Sequence, residues 1–135
     1  MSLAVAFPDF SANRNSACVP PFACTLRFGD LGPTWVHVSG DLNVRSAPRL
    51  AEALRLTRAT PRLVVLDLRA LRSIDLHGVH VIVVAGERAR RAGPRLMVVR
   101  GRPAVDRMFA RSGAAVLIDV VDLDAAETLN LSAID

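Results

Sequence analysis

From Phe22 onward, hydrophobic and polar positions fall into short patterned segments whose period changes along the chain. Cys24, Leu26 and Phe28 interleave with Thr25 and Arg27, the period-two pattern of a half-buried strand. Gly29 to Pro33 then reads as a turn and Trp35 to Val38 as the returning strand of a hairpin. Next, Ala47, Leu50, Ala51 and Leu54 recur at i, i+3, i+4 and i+7, which predicts an amphipathic helix capped by Ser46. Arg49, Glu52 and Arg55 point away from that stripe. Leu63 to Leu66, Leu96 to Val99 and Val116 to Val121 are uninterrupted apolar runs of the kind that form strands covered on both faces.

The segment between the first two runs carries conflicting signals. Val79, Val81, Ile82, Val83 and Val84 are β-branched and favour a strand by propensity. The following residues to Ala92 are helix-compatible, Gly93-Pro94 forms a stop, and Val79, Ile82, Val83 and Gly86 share one helical face. We read a helix here. Pro103 opens another helix, with Val105, Met108, Phe109 and Ser112 on one side and Gly113 near its end. Asp124 and Glu127 suggest the acid-capped start of a last one.

The resulting order, β-β-α-β-α-β-α-β-α, predicts an α/β domain over residues 22–135, a sheet of about five strands flanked by about four helices. Residues 1–21, which hold Pro8, Pro20 and Pro21 and show no periodicity, read as a flexible N-terminal arm. No second domain and no internal repeat is visible.

Composition changes this picture little. Half the residues are hydrophobic and few are aromatic, so the core is built from Val, Leu, Ile and Ala. All 17 basic residues are arginine, and the net charge is +4. Eight arginines crowd between Arg88 and Arg111 with no tyrosine and no interleaved aromatic platform for stacking bases, which fits solvated helix faces or an acidic protein better than nucleic acid. No stretch approaches a membrane span, and MSLAVAF lacks the basic start of a signal peptide, so a cytoplasmic location is expected. There Cys18 and Cys24 stay reduced by default, although their proximity leaves a disulfide open.

Candidate chemistry is sparse. No Ser-His-Asp arrangement, phosphate-cradling glycine loop or paired acid cluster stands out, so no catalytic residue is assigned and the chain is not expected to be an enzyme. His37 sits on a strand among apolar residues and reads as outward-facing. Asp75, His77 and His80 lie close in sequence but match no zinc spacing, so neither a metal nor a cofactor is assigned.

Three landmarks stand out: Val38-Ser39-Gly40-Asp41-Leu42 before a helix, Leu63 to Leu68 followed by Ser73-Ile74-Asp75-Leu76-His77-Gly78-Val79, and Arg91-Ala92-Gly93 leading to a strand and a helix ending at Ser112-Gly113. Over Thr34 to about Leu123 their order and spacing resemble a STAS domain, the module of anti-sigma factor antagonists and sulfate-transporter tails. The resemblance implies a mixed, mostly parallel sheet with helices packed on it. It also implies partner switching, in which the unmodified antagonist binds an anti-sigma kinase and releases a sigma factor until a serine at the second helix is phosphorylated. This chain departs from that pattern: the family's Asp-Ser-Ser-Gly is here Asp75-Leu76-His77-Gly78, so His77 stands at the phosphoserine position. Ser73, two residues before the aspartate, is out of register for that role.

By this resemblance a partner surface centres on Ser73, Asp75, Leu76, His77, Gly78 and His80, with Asp41, Leu42 and Asn43 adjoining. Residue by residue, Asp75 and Asp41 also read as loop organisers that bond backbone N–H groups, Gly78 as a close-approach position, and His77 as a turn residue or as a contact whose charge changes near neutral pH. Two other STAS roles stay open: a subunit binding the ATPase of a membrane transport complex, and a small-ligand or nucleotide binder at the same loop. Homodimer formation is open as well.

Overall fold

The computed structural model describes residues 3–7, 21–28, 32–59 and 63–122. Six strands form one sheet in sequence order: β1 (Leu3–Phe7), β2 (Ala23–Phe28), β3 (Thr34–Leu42), β4 (Val64–Ile74), β5 (Leu96–Val99) and β6 (Val120–Val121). The β1–β2 and β2–β3 pairs are antiparallel, whereas β3–β4, β4–β5 and β5–β6 are parallel. The parallel joins are crossovers carrying α1 (Ala47–Thr57), α2 (Leu76–Ala92) and α3 (Pro103–Ser112). This is the mixed α/β sheet that the periodicities predict.

Alternation decides which face each strand buries. In the β2–β3 hairpin Cys24 pairs with Val38 and Leu26 with Val36, and all four are buried. Val36, Leu66 and Val98 enter one large core with Leu50 and Ala53 of α1, Val79 and Ile82 of α2, and Val105 and Phe109 of α3. Trp35, Val65 and Val99 occupy the alternate positions and form a second, smaller cluster on the opposite face. Leu50 and Ile82 are fully buried, so trimming either to alanine costs about 2–5 kcal/mol.

Several expectations need correction. Leu3–Phe7, read as part of a loose arm, pairs with β2 as an edge strand. The inward stripe of α1 is Ala47, Leu50, Ala53 and Leu54, while Ala51 is exposed. The run Val116 to Val121 is not one strand: Ala114–Val116 form a 3-10 turn, and only Val120–Val121 pair with β5. There the chain follows a helical period, burying Ala114 and Ile118 while Val116 stands 84% exposed, and an apolar run alone cannot reveal that. The last helix expected after Asp124 lies outside the described residues.

The β-branched segment is helical, with Gly78, Val79, Ile82 and Gly86 turned inward. It stops at Ala92 because Gly93 precedes Pro94 and takes the extended conformation that a following proline favours. Gly40 is required by the fold. Its φ is +85°, and a Cβ there would stand 2.6 Å from the Pro21 carbonyl oxygen.

Candidate functional site

Strands β3 and β4 finish in register, Leu42 beside Ile74, so the segments that follow them leave the sheet at one edge. The Asp75 N–H donates to the Leu42 carbonyl at 3.0 Å and ties the two exits together. Every sequence-predicted site residue except His80 belongs to these exits or to the strand ends beneath them.

Asp75 is the N-cap of α2. Its extended backbone lets Oδ1 accept from the N–H groups of His77 at 2.9 Å and Gly78 at 3.1 Å, satisfying two of the donors a helix start leaves open. The loop-organising reading of Asp75 therefore holds. The cap turns the first α2 side chains outward: Leu76 is 61% exposed, and the His77 side chain is 64% exposed with Nδ1 3.5 Å from Asp75 Oδ2. Gly78 follows immediately and is buried. A Cβ there would stand 2.6 Å from Leu42 Cγ and 2.8 Å from Ile74 Cγ1, so only glycine lets α2 start this close to the strand ends.

The neighbouring exit is closed on itself. Asn43 Oδ1 accepts from the N–H groups of Arg45 at 2.9 Å and Ser46 at 3.3 Å. Ser46 Oγ accepts from the Asn43 N–H at 2.9 Å and donates to the Asp41 carbonyl at 2.8 Å. Ser46 sits at the N-cap position of α1 but makes no side-chain bond to the helix, because its hydroxyl is spent on the preceding turn. Asp41 takes a two-pronged contact from Arg72, with Nε at 2.9 Å, and a 2.6 Å hydrogen bond from the Ser73 hydroxyl. The Arg72 hydrogen bond holds the Asp41 carboxyl below its ordinary range; partial burial opposes this and Ser73 adds to it.

The nine residues of the predicted surface are thus not equally accessible. Leu42 and Gly78 are buried and support the surface from beneath, since both fill the contact between the strand ends and α2. Asn43, Ser73 and Asp41 use their polar atoms inside the two exits. His80 turns away from His77 to line a cleft between α1 and α2, so Asp75, His77 and His80 do not converge; among the described residues no three metal-ligating side chains do. Leu76 and His77 remain as the projecting pair. Val44, 56% exposed in the closed turn, and Arg72 were not singled out from sequence. The signal for Val44 was an apolar residue in a turn, outside either period.

A second polar cluster also escaped the sequence reading. Asp67 on β4 faces His37 on β3, with His37 Nδ1 at 3.1 Å, and binds Arg69 through its backbone N–H at 3.0 Å and its guanidinium at 2.9 Å. Burial alone would raise the Asp67 pKa, but the hydrogen bonds from His37 and Arg69 outweigh it and hold the carboxyl far below the usual range. The His37 ring stacks on Trp35, centroids 5.3 Å apart. His37 thus faces away from the main core, as the sequence suggested, with its side chain 40% exposed and engaged by Asp67 and Trp35.

Cys24 is a free, buried thiol, pushed up to about 12 by burial against a smaller lowering by Arg49; Cys18 lies outside the described residues. Within the arginine-rich stretch, Arg100 pairs with Asp106 at 3.1 Å and Asp122 at 2.8 Å, as a solvated, charge-balanced face would. Among the described residues no helix is long and apolar enough to cross a membrane.

The family model for the STAS domain matches residues 29–130. No curated protein matches the chain. Among solved structures, an anti-sigma factor antagonist from Mycobacterium paratuberculosis is similar at 21% identity, covering 82% of this chain and 94% of that one with a TM-score of 0.69. The anti-sigma factor antagonist SpoIIAA in its unphosphorylated form is similar at 15% identity, covering 79% and 93%, TM-score 0.59. The murine anion transporter Slc26a9 is similar at 15% identity over 78% of this chain but only 18% of its own length, TM-score 0.62. At these identities the likeness is one of fold, and with the family match over most of the chain it leads to one conclusion: the chain belongs to the STAS domain family.

Proposed function

We propose that this chain is a bacterial regulatory protein of the anti-sigma factor antagonist type, acting in the cytoplasm by stoichiometric binding and not by catalysis. Its partner in this reading is an anti-sigma factor of the serine-kinase kind, whose capture releases a sigma factor for transcription. The observation that carries the reading is the open start of α2, where Leu76 and His77 project from a turn fixed by the Asp75 cap and the buried Gly78. A fixed turn presenting an apolar side chain and an imidazole loses little entropy on docking. Likeness of fold to two antagonists over most of the chain supports the same reading.

The switch differs from the family's. A phosphate at a helix start is stabilised locally by unpaired N–H groups, yet at an interface it brings repulsion and desolvation. Without a hydroxyl at His77, and with the Ser73 hydroxyl bonded to Asp41, the usual serine modification has no acceptor at this turn. The antagonist therefore binds without that off-signal.

The test is co-purification from native lysate with wild type, His77→Ser and His77→Asp. We expect an anti-sigma kinase with the first two and its loss with the aspartate. Recovery of a transporter ATPase, or full retention by His77→Asp, would overturn the reading.

A further inference from the structure

Helices α1 and α2 lie side by side, and between them runs a cleft of about 230 Å³ that is separate from the projecting turn. Each helix gives it one face: Ala51, Leu54, Arg55 and Arg58 end one wall, and Val81, Val84, Ala85 and Arg88 the other, both at i, i+3, i+4, i+7. Val64 and Leu96, at the starts of β4 and β5, also line it. Leu54, Val64 and Leu96 are buried and Val81, Val84 and Ala85 half-buried, so the lining is apolar along its length.

The charged side chains that line it are of one sign. Arg55, Arg58 and Arg88 line the cleft beside His80, and among the described residues no aspartate or glutamate does. Arg55 is compensated by Glu52, with Nε 3.0 Å from the carboxylate. Arg58 and Arg88 have exposed side chains without an ion pair among the described residues. An apolar slot with two uncompensated guanidiniums is complementary to a molecule with an apolar body and an anionic head, because arginine forks match carboxylate and phosphate. Its volume lies below the roughly 300–1,000 Å³ of drug-sized pockets, so the occupant is slender. From His80 to Ala89 the α2 wall spans about 13 Å at 1.5 Å per residue, the length of a medium-length alkyl chain.

We propose that the α1–α2 cleft is a binding site for a small amphipathic anion, a medium-chain alkyl carboxylate or phosphate, with its chain along Leu54, Val81, Val84 and Ala85 and its head on Arg58 and Arg88. The site is independent of the partner surface and stands whether or not an anti-sigma factor binds there.

The probes are decanoate, decyl phosphate and neutral decanol, titrated into the full chain below their aggregation concentrations and followed residue by residue by NMR. At least one anion should perturb the amides of the two cleft walls and bind more tightly than decanol. Arg58→Gln combined with Arg88→Gln should weaken it roughly tenfold or more, the scale of a lost charge-assisted hydrogen bond. Ala51→Phe, a change at an exposed position, should block it while leaving the rest of the spectrum folded. Absence of cleft perturbation by both anions would overturn the proposal. Equal binding of decanol, or unchanged affinity in the double variant, would do so too, as would cleft shifts that depend on protein concentration alone and mark a second copy.

Discussion

Two strand-to-helix junctions stand side by side at one sheet edge, and they are built to opposite ends. At the entry to α1, Asn43, Ser46 and Asp41 bond to one another, to Ser73 and to the local backbone, and the Ser46 hydroxyl gives nothing to the helix. At the entry to α2, a single carboxylate, Asp75, caps the helix directly and leaves Leu76 and His77 with their side chains outward. The first junction spends its polar groups internally; the second spends one carboxylate on the cap and leaves two side chains exposed. Sequence proximity to a motif therefore does not make a side chain available. Its burial and the bonds it already makes decide that.

The largest effect should come from the packing beneath the open junction. Gly78→Val places carbon where Leu42 and Ile74 already stand, and should cost about 3 kcal/mol or more in a denaturant titration. A near-neutral result would mean the α2 start is looser than the geometry implies.

Next comes Asp67, a buried carboxylate away from both junctions that calibrates the junction acids. Asp67→Asn should cost about 2 kcal/mol at neutral pH, since it weakens charge-assisted bonds from Arg69 and His37. The sign with pH follows from its depressed pKa. The contribution is fully present above the unfolded carboxylate value of about 3.9, and is lost progressively as pH falls through and below it. Wild type and variant stabilities should thus converge on acidification; a constant gap would place the Asp67 contribution in packing.

Asp75→Ala should cost about 1 kcal/mol through the lost cap, and Asp75→Ser should recover most of it. Partner affinity should fall further than stability does, because the alanine also loosens the turn that aims His77. Equal losses in both would reduce Asp75 to a purely structural residue. Smallest of all, His77→Ala should leave stability within about 0.5 kcal/mol, as expected of an exposed side chain.

Much of this was legible in the sequence, for reasons that particular residues make plain. Cys24 and Leu26 alternate with Arg27, and Leu50 and Leu54 recur at helical spacing, so local period sufficed for β2 and α1. For Val79 to Val84 propensity and pattern disagreed, and packing of Val79, Ile82 and Gly86 on the core won. Asp75 was readable because an aspartate at a turn has few better uses than the N–H groups ahead of it. Ser46 was not, since its hydroxyl had competing backbone partners and spacing does not rank them. The burial of Leu42 and Gly78 depends on how closely α2 approaches the strand ends, and the His37–Asp67 contact on the β3–β4 register across 30 residues. Neither is a local property.

The central claim is that the open junction, and not the closed one, carries the partner contact. Hydrogen–deuterium exchange of the purified chain with and without the proposed anti-sigma factor partner tests it most directly. The account predicts new protection concentrated in residues 75–80, with smaller changes over 43–46. Protection confined to the α1 entry, or to the opposite face around Trp35 and His37, with residues 75–80 unchanged, would contradict it.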